Sequence, residues 1–186
     1  MILPVTLYGD PVLKKRAENI TAEYPNLQDV VKNMWQTMYA ASGVGLAAPQ
    51  VGLSIRLFVV DTVQLKDKKK REFDGIKKVF VNPTILTETG DEWKYEEGCL
   101  SIPGIREDVF RNETIKIHYF DENFNEFTEE FNSINARVIQ HEYDHIEGIL
   151  FIDKLKPLTK KLIQGKLSKI MRGEVDTDYR VRPYKK

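Results

Sequence analysis

The stretch QHEYDHIEG, residues 140–148, sets two histidines four positions apart, with a glutamate directly after the first. On an α-helix, positions i and i+4 stack on one face, so His141 and His145 can offer two imidazoles to one metal ion. Glu142 then lies close enough to reach a water on that ion without ligating it. Two ligands and a general base make a hydrolytic metal site. The plain alternative is a helix whose histidines are core residues. That alternative buries three polar side chains together, which is costly unless they are paired.

A catalytic site of this kind needs a third protein ligand and one open coordination position. The chain holds only three histidines. His118, in TIKIHYFD, shares a strand face with Lys116 and Phe120, opposite Ile115, Ile117 and Tyr119, and reads as a surface histidine. Glu147 and Asp153 are acidic candidates of a generic kind. Cys99, the single cysteine, follows a glycine in EEGCLSIPG. Gly98 permits close backbone approach, and a thiolate is a strong ligand for Zn²⁺ or Fe²⁺. Without such a role, a lone cysteine is a small apolar filler.

These residues must be held by a scaffold. Leu27, Val30, Val31, Met34 and Met38 repeat at helical spacing, with Asn26 suited to cap the start and Gly43 to mark the stop. IRLFVVD (55–61) and KVFVNPTIL (78–86) are strand-like, with a polar excursion between them that contains KDKKKR (66–71). TIKIHYFD (114–121) and EFTEEF (126–131) read as a hairpin across the turn DENFN. A second helix runs from an N-cap at Ser133 to Gly148 and carries Ile134, Val138, His141, Glu142 and His145 on one face. Residues on a second side, Ile139, Tyr143 and Ile146, broaden the buried surface and suggest that it is central. A third helix, about 158–172, carries Leu158, Leu162, Ile163, Leu167 and Ile170. The tail, about 173–186, is charged and expected to be loosely held. The order predicts an α+β fold: mixed or antiparallel sheets around the central helix, with an N-terminal and a C-terminal helix.

The 186 residues fit one domain, 1–186. Lys plus Arg and Asp plus Glu are both 28, which argues against a protein that holds nucleic acid by bulk positive charge. No apolar run approaches the roughly 20 residues needed to cross a bilayer. The N-terminus lacks a basic start and is broken by Pro4 and Pro11, unlike a signal peptide, so the cytoplasm is the expected location.

Three stretches together carry a resemblance. GVGLAAPQ (43–50), EGCLS (97–101) and QHEYDH (140–145) resemble, in that order, the three signature motifs of the peptide deformylase family. YGDPVLKKRAENI resembles that family's N-terminal segment, and the likeness spans essentially residues 2–155. EGCLSIPG resembles the bacterial class, although 66–78 is somewhat extended, and Ile146 stands where leucine is common. The resemblance implies an enzyme that removes the formyl group from the N-terminal methionine of new polypeptides, releasing formate. It implies Cys99 as third metal ligand beside His141 and His145. Fe²⁺ is the expected cofactor, with Zn²⁺, Ni²⁺ and Co²⁺ as alternatives. Glu142 is implied as general base, and Gln50 and the Leu100 N–H as donors to the oxyanion. For the peptide, the chain edge at Val44 and Gly45 is a candidate for pairing as an added strand, with room left by Gly43 and Gly45 and with Gly98 a further substrate-binding candidate; the resemblance implies Arg106 as a contact to peptide carbonyls. The expected partner is a formyl-methionyl peptide, the ribosome is a candidate partner, and no specific nucleic acid or membrane is expected. Glu97 and Asp144 are candidates for orienting a ligand imidazole, and Arg111 for neutralising one of them. The rival readings are a His-Glu-x-x-His zinc peptidase and a non-catalytic metal-site or peptide-binding domain.

Overall fold

A computed structural model describes residues 1–65 and 74–184; the KDKKKR run lies outside them. The elements are β1 (Val5–Thr6), α1 (Leu27–Ala40), β2 (Gly45–Ala47), β3 (Leu57–Asp61), β4 (Lys77–Cys99) and β5 (Ile102–Phe120). They continue with β6 (Glu126–Asn132), α2 (Ser133–Ile146), α3 (Pro157–Met171) and β7 (Val181–Arg182). Five strands form an antiparallel sheet in the order β2-β3-β4-β5-β6, and β1 pairs with β7 in parallel. The α+β expectation holds.

The run LFVV in β3 is apolar at every position because both faces of the strand are covered. Phe58 and Val60 pack with Ile134, Val138 and Ile139 of α2. Leu57 and Val59 pack with Val31, Met34 and Met38 of α1. The sheet is therefore a layer between the two helices, and its alternating side chains feed two cores. Helix α2 is buried on nearly every side, as its apolar residues imply. A third cluster, Leu7, Leu13, Ile102, Ile105, Phe151, Ile163, Leu167 and Ile170, joins β5 to α3, with Cys99 against it.

Four local expectations are corrected. Asn26 adopts left-handed backbone (φ 56°) and makes no capping hydrogen bond from its side chain. Ser133 is not the cap but the first residue of α2, at φ 52°. β6 runs into α2 with no loop, so the turn between them falls on this residue. In α3, Leu158 and Leu162 face solvent at 70% and 75% exposure, so only Ile163, Leu167 and Ile170 form its buried stripe. Within the tail, Val181 and Arg182 are not loose: they pair in register with Val5 and Thr6, and the Arg182 guanidinium donates to Thr6 Oγ1 at 3.0 Å.

The two strand segments predicted at 78–86 and 114–121 belong to one long hairpin. β4 and β5 stay paired from Val81↔Phe120 to Cys99↔Ile102, with register shifts along the way. Such shifts bend a ribbon and re-aim its side chains. The last shift, between Gly98 and Cys99, delivers Cys99 to the end of the hairpin, facing α2.

Candidate active site

Cys99, His141 and His145 meet at one point. One ligand atom from each lies within 4.8 Å of the others, and Cys99 Sγ is 3.3 Å from His145 Nε2. The i, i+4 spacing supplies the pair of imidazoles, whose ring centroids are 5.1 Å apart, and the hairpin supplies the thiol. His118 lies elsewhere, bonded to Glu126 on the sheet, which excludes it from this cluster.

A set of buried charges sits behind His141. Its Nδ1 lies 2.9 Å from Glu97 Oε2. Glu97 also accepts from Arg111 at 2.7 and 3.0 Å and from Arg137 at 2.9 Å, and Arg111 donates onward to Asp144 at 2.7 Å. Burial opposes ionisation of Glu97, but the bonds from His141 and Arg111 outweigh it and hold the carboxyl far below its ordinary range. Burial also opposes protonation of His141, yet bonds to Cys99 and Glu97 raise its pKa well above the ordinary value. With Nδ1 committed to the carboxylate, Nε2 is the atom left for a ligand. His145 is driven the other way, first by burial and then by the neighbouring positive charges.

In front of the ligands, the environment is starved of partners. Glu142 Oε2 is buried with no hydrogen bond, and so is His145 Nδ1. Burial pushes the Glu142 carboxyl up to about 7. Gly45 passes so close that a Cβ there would strike the Glu142 carboxylate. The glycine is thus required by the carboxylate's position. A thiol and two imidazoles converging within 4.8 Å, with the Glu142 carboxylate lining the same cavity, suit a divalent transition ion.

Gln50 is aimed by its own turn. Its Oε1 accepts from Ala47 N–H at 2.9 Å, which turns Nε2 toward Cys99 Sγ (3.4 Å) and Ser101 Oγ (3.3 Å). Leu100 follows Cys99, its side chain packs toward the α1 core, and its carbonyl accepts from Tyr179 Oη at 2.8 Å.

These groups open onto a cavity of about 820 Å³. Gly43, Val44 and Gly45 form one wall, Gly98 and Leu100 another, and Ile134 and Val138 contribute apolar surface. β2, which contains Gly45, is an edge strand and leaves one side of its backbone unpaired within the sheet. Arg106 lines the cavity but is exposed, with Nε held by Glu96 at 2.6 Å. Arg137, Ser101 and Tyr179 went unnoticed in the sequence. Arg137 carries a helical-spacing signal, four residues before His141; Ser101 and Tyr179 carry none.

The family model described as Polypeptide deformylase matches residues 2–161. A peptide deformylase from Flavobacterium psychrophilum is 56% identical, over 98% of this chain and 97% of its own length. One from Christiangramia forsetii is 54% identical, over 98% and 96%. Among solved structures, the peptide deformylase from Legionella pneumophila aligns with a TM-score of 0.81 at 38% identity, over 94% of this chain and 98% of its own. A Plasmodium falciparum peptide deformylase in complex with inhibitor aligns at 0.77 and 36% identity, over 90% and 99%.

Proposed function

The chain belongs to the polypeptide deformylase family and is an enzyme that removes N-terminal formyl groups from nascent peptides; from that premise we propose how its residues divide the work. Cys99, His141 and His145 hold one divalent metal ion. Fe²⁺ is the proposed native ion, and the thiolate and imidazole donors would also accept Zn²⁺, Ni²⁺ or Co²⁺. Bound there, the ion supplies a Lewis acid that lowers the pKa of water and polarises a carbonyl oxygen.

The remaining steps belong to side chains and backbone. Glu142 takes the proton of the attacking water as oxygen bonds to the formyl carbon. It returns a proton to the nitrogen as the C–N bond breaks, so formate and a free amine leave. The pairless Oε2 of Glu142 supports this role, because nothing among the described residues competes for it. Gln50 Nε2 and the Leu100 N–H donate to the oxygen on which negative charge develops. The lock of Gln50 Oε1 on Ala47 supports the first donor, since no reorganisation is then needed. Glu97 orients His141.

The peptide adds to the free edge of β2 beside Val44 and Gly45, a strand-addition mode that reads backbone rather than sequence. Gly43 and Gly98 leave room for it, Arg106 is a further contact at the rim, and the methionine side chain enters between Ile134 and Val138. Among the described residues, no helix is long and apolar enough to cross a membrane. The cytoplasm is the proposed location, because formylated nascent chains arise at the ribosome. The ribosome is a candidate partner, and α3 exposes Lys161, Lys166 and Lys169 beside Leu158 and Leu162.

The observation that carries this reading is the convergence of Cys99, His141 and His145 beside Glu142. Metal analysis alongside formate release from formyl-Met-Ala-Ser tests it. Activity with one bound ion per chain is expected, and Cys99→Ser should lose both. Normal metal content and turnover in that variant would exclude the proposed ligand set.

A further inference from the structure

The wall of the cavity at Gly43 and Val44 begins where the backbone is free to turn. Ser42 sits in the left-handed region at φ 54°, and a glycine follows it. A peptide that adds as a strand needs the groups of this wall aimed in one direction. The brace that aims them lies outside β2, in the turn that follows β3.

That turn is itself fixed. The Asp61 carboxylate accepts from the Val63 N–H at 3.0 Å and from the Tyr39 hydroxyl at 2.5 Å. The Thr62 N–H donates to the Ile76 carbonyl at 2.8 Å. From this turn the Gln64 side chain reaches back to the wall. Its Nε2 donates to the Gly43 carbonyl at 2.8 Å and to the Asp61 carbonyl at 3.1 Å. The next carbonyl along the wall, that of Val44, accepts from the Asp61 N–H at 2.9 Å. Between these two fixed carbonyls lies the Val44 N–H, which has no hydrogen-bond partner among the described residues.

The Gly43 carbonyl and the Val44 N–H belong to one planar trans peptide unit, so they point in opposite directions. By holding the carbonyl from one side, Gln64 aims the N–H to the other, and Val44 lines the cavity. A carbonyl that already accepts a hydrogen bond also makes the N–H of its own unit a stronger donor.

We propose that Gln64 is a positioning residue for substrate: it clamps the Gly43–Val44 peptide unit so that the Val44 N–H meets a backbone carbonyl of the formyl-methionyl peptide. The inference rests on the deformylase reading. The clamp acts on peptide capture and leaves the reacting atoms to the groups around the metal ligands.

The test uses the metal-loaded full chain and two substrates. One is formyl-Met-Ala-Ser. The other is the formamide of 3-(methylthio)propylamine, which keeps the formyl amide and the thioether but has no peptide carbonyl. Gln64→Met removes the donor at similar size. It should lower kcat/KM for the peptide about fivefold, the worth of one ordinary hydrogen bond, with the loss carried by KM. The carbonyl-free formamide, followed with enzyme in excess so that slow hydrolysis is still read, should change by less than about twofold. Gln64→Glu keeps the shape, turns an acceptor toward the two carbonyls and should cost the peptide at least as much, so either variant alone decides the matter. No loss with the peptide, an equal loss with the formamide, or a loss carried by kcat overturns the clamp. Failure of the unmodified enzyme to hydrolyse formyl-Met-Ala-Ser overturns the deformylase reading instead.

Discussion

The regions behind and in front of His141 each contain a buried glutamate, and they treat it in opposite ways. Behind, Glu97 is surrounded by Arg111, Arg137 and the imidazole, and it stays ionised. In front, Glu142 has one oxygen with no partner among the described residues, and burial lifts its carboxyl toward neutrality. The residue type is the same, so the surroundings assign the work: one carboxylate is a fixed strut, the other is free to exchange a proton.

Four substitutions test that contrast. Glu142→Gln keeps the shape and removes the exchangeable proton; turnover should fall on the order of 10²–10⁴-fold while bound metal stays the same. Retained turnover, measured as formate release, would remove Glu142 as the base. Arg111→Met strips the rear carboxylates of their shared partner, so stability should drop by about 3–5 kcal/mol in chemical denaturation. A drop well under about 1 kcal/mol would mean that Arg137 alone sustains Glu97. Glu97→Gln keeps volume but weakens the hold on His141, and metal affinity should fall roughly 10–100-fold, read by competition with a chelator. An unchanged affinity would reduce Glu97 to a packing residue. Tyr179→Phe deletes one hydrogen bond to the peptide that follows the Cys99–Leu100 link, worth about 1 kcal/mol. A several-fold lower kcat with little change in KM is expected, and the reverse split would assign Tyr179 to substrate capture.

Much of this was legible in sequence because it follows a period. The stripe of α1, the doubly covered β3 and the i, i+4 histidines each impose a spacing that the residues obey. What escaped has no period. ETGDEWKYEE in the middle of β4 is exposed over most of its length, so no alternation marks it as strand, and the continuity of the hairpin up to Cys99 was invisible. The tail is held by backbone pairing, one phenolic hydroxyl and one guanidinium, none of which sets a spacing. Gln50 could be identified as a donor by likeness, but the bond from Ala47 that turns it belongs to three dimensions.

The pairing of β1 with β7 also bears on the order in which the protein folds. Thr6 and Arg182, bonded to each other, are 176 residues apart in sequence. Closing so long a loop offers only two short strands in return, so it gains little until the cores between them have assembled. The cavity wall formed by residues 176–179 is therefore expected to be the last raised during folding. It should also be the first to open in the native state, with the Val5 and Leu7 amides exchanging with solvent well before those of β3.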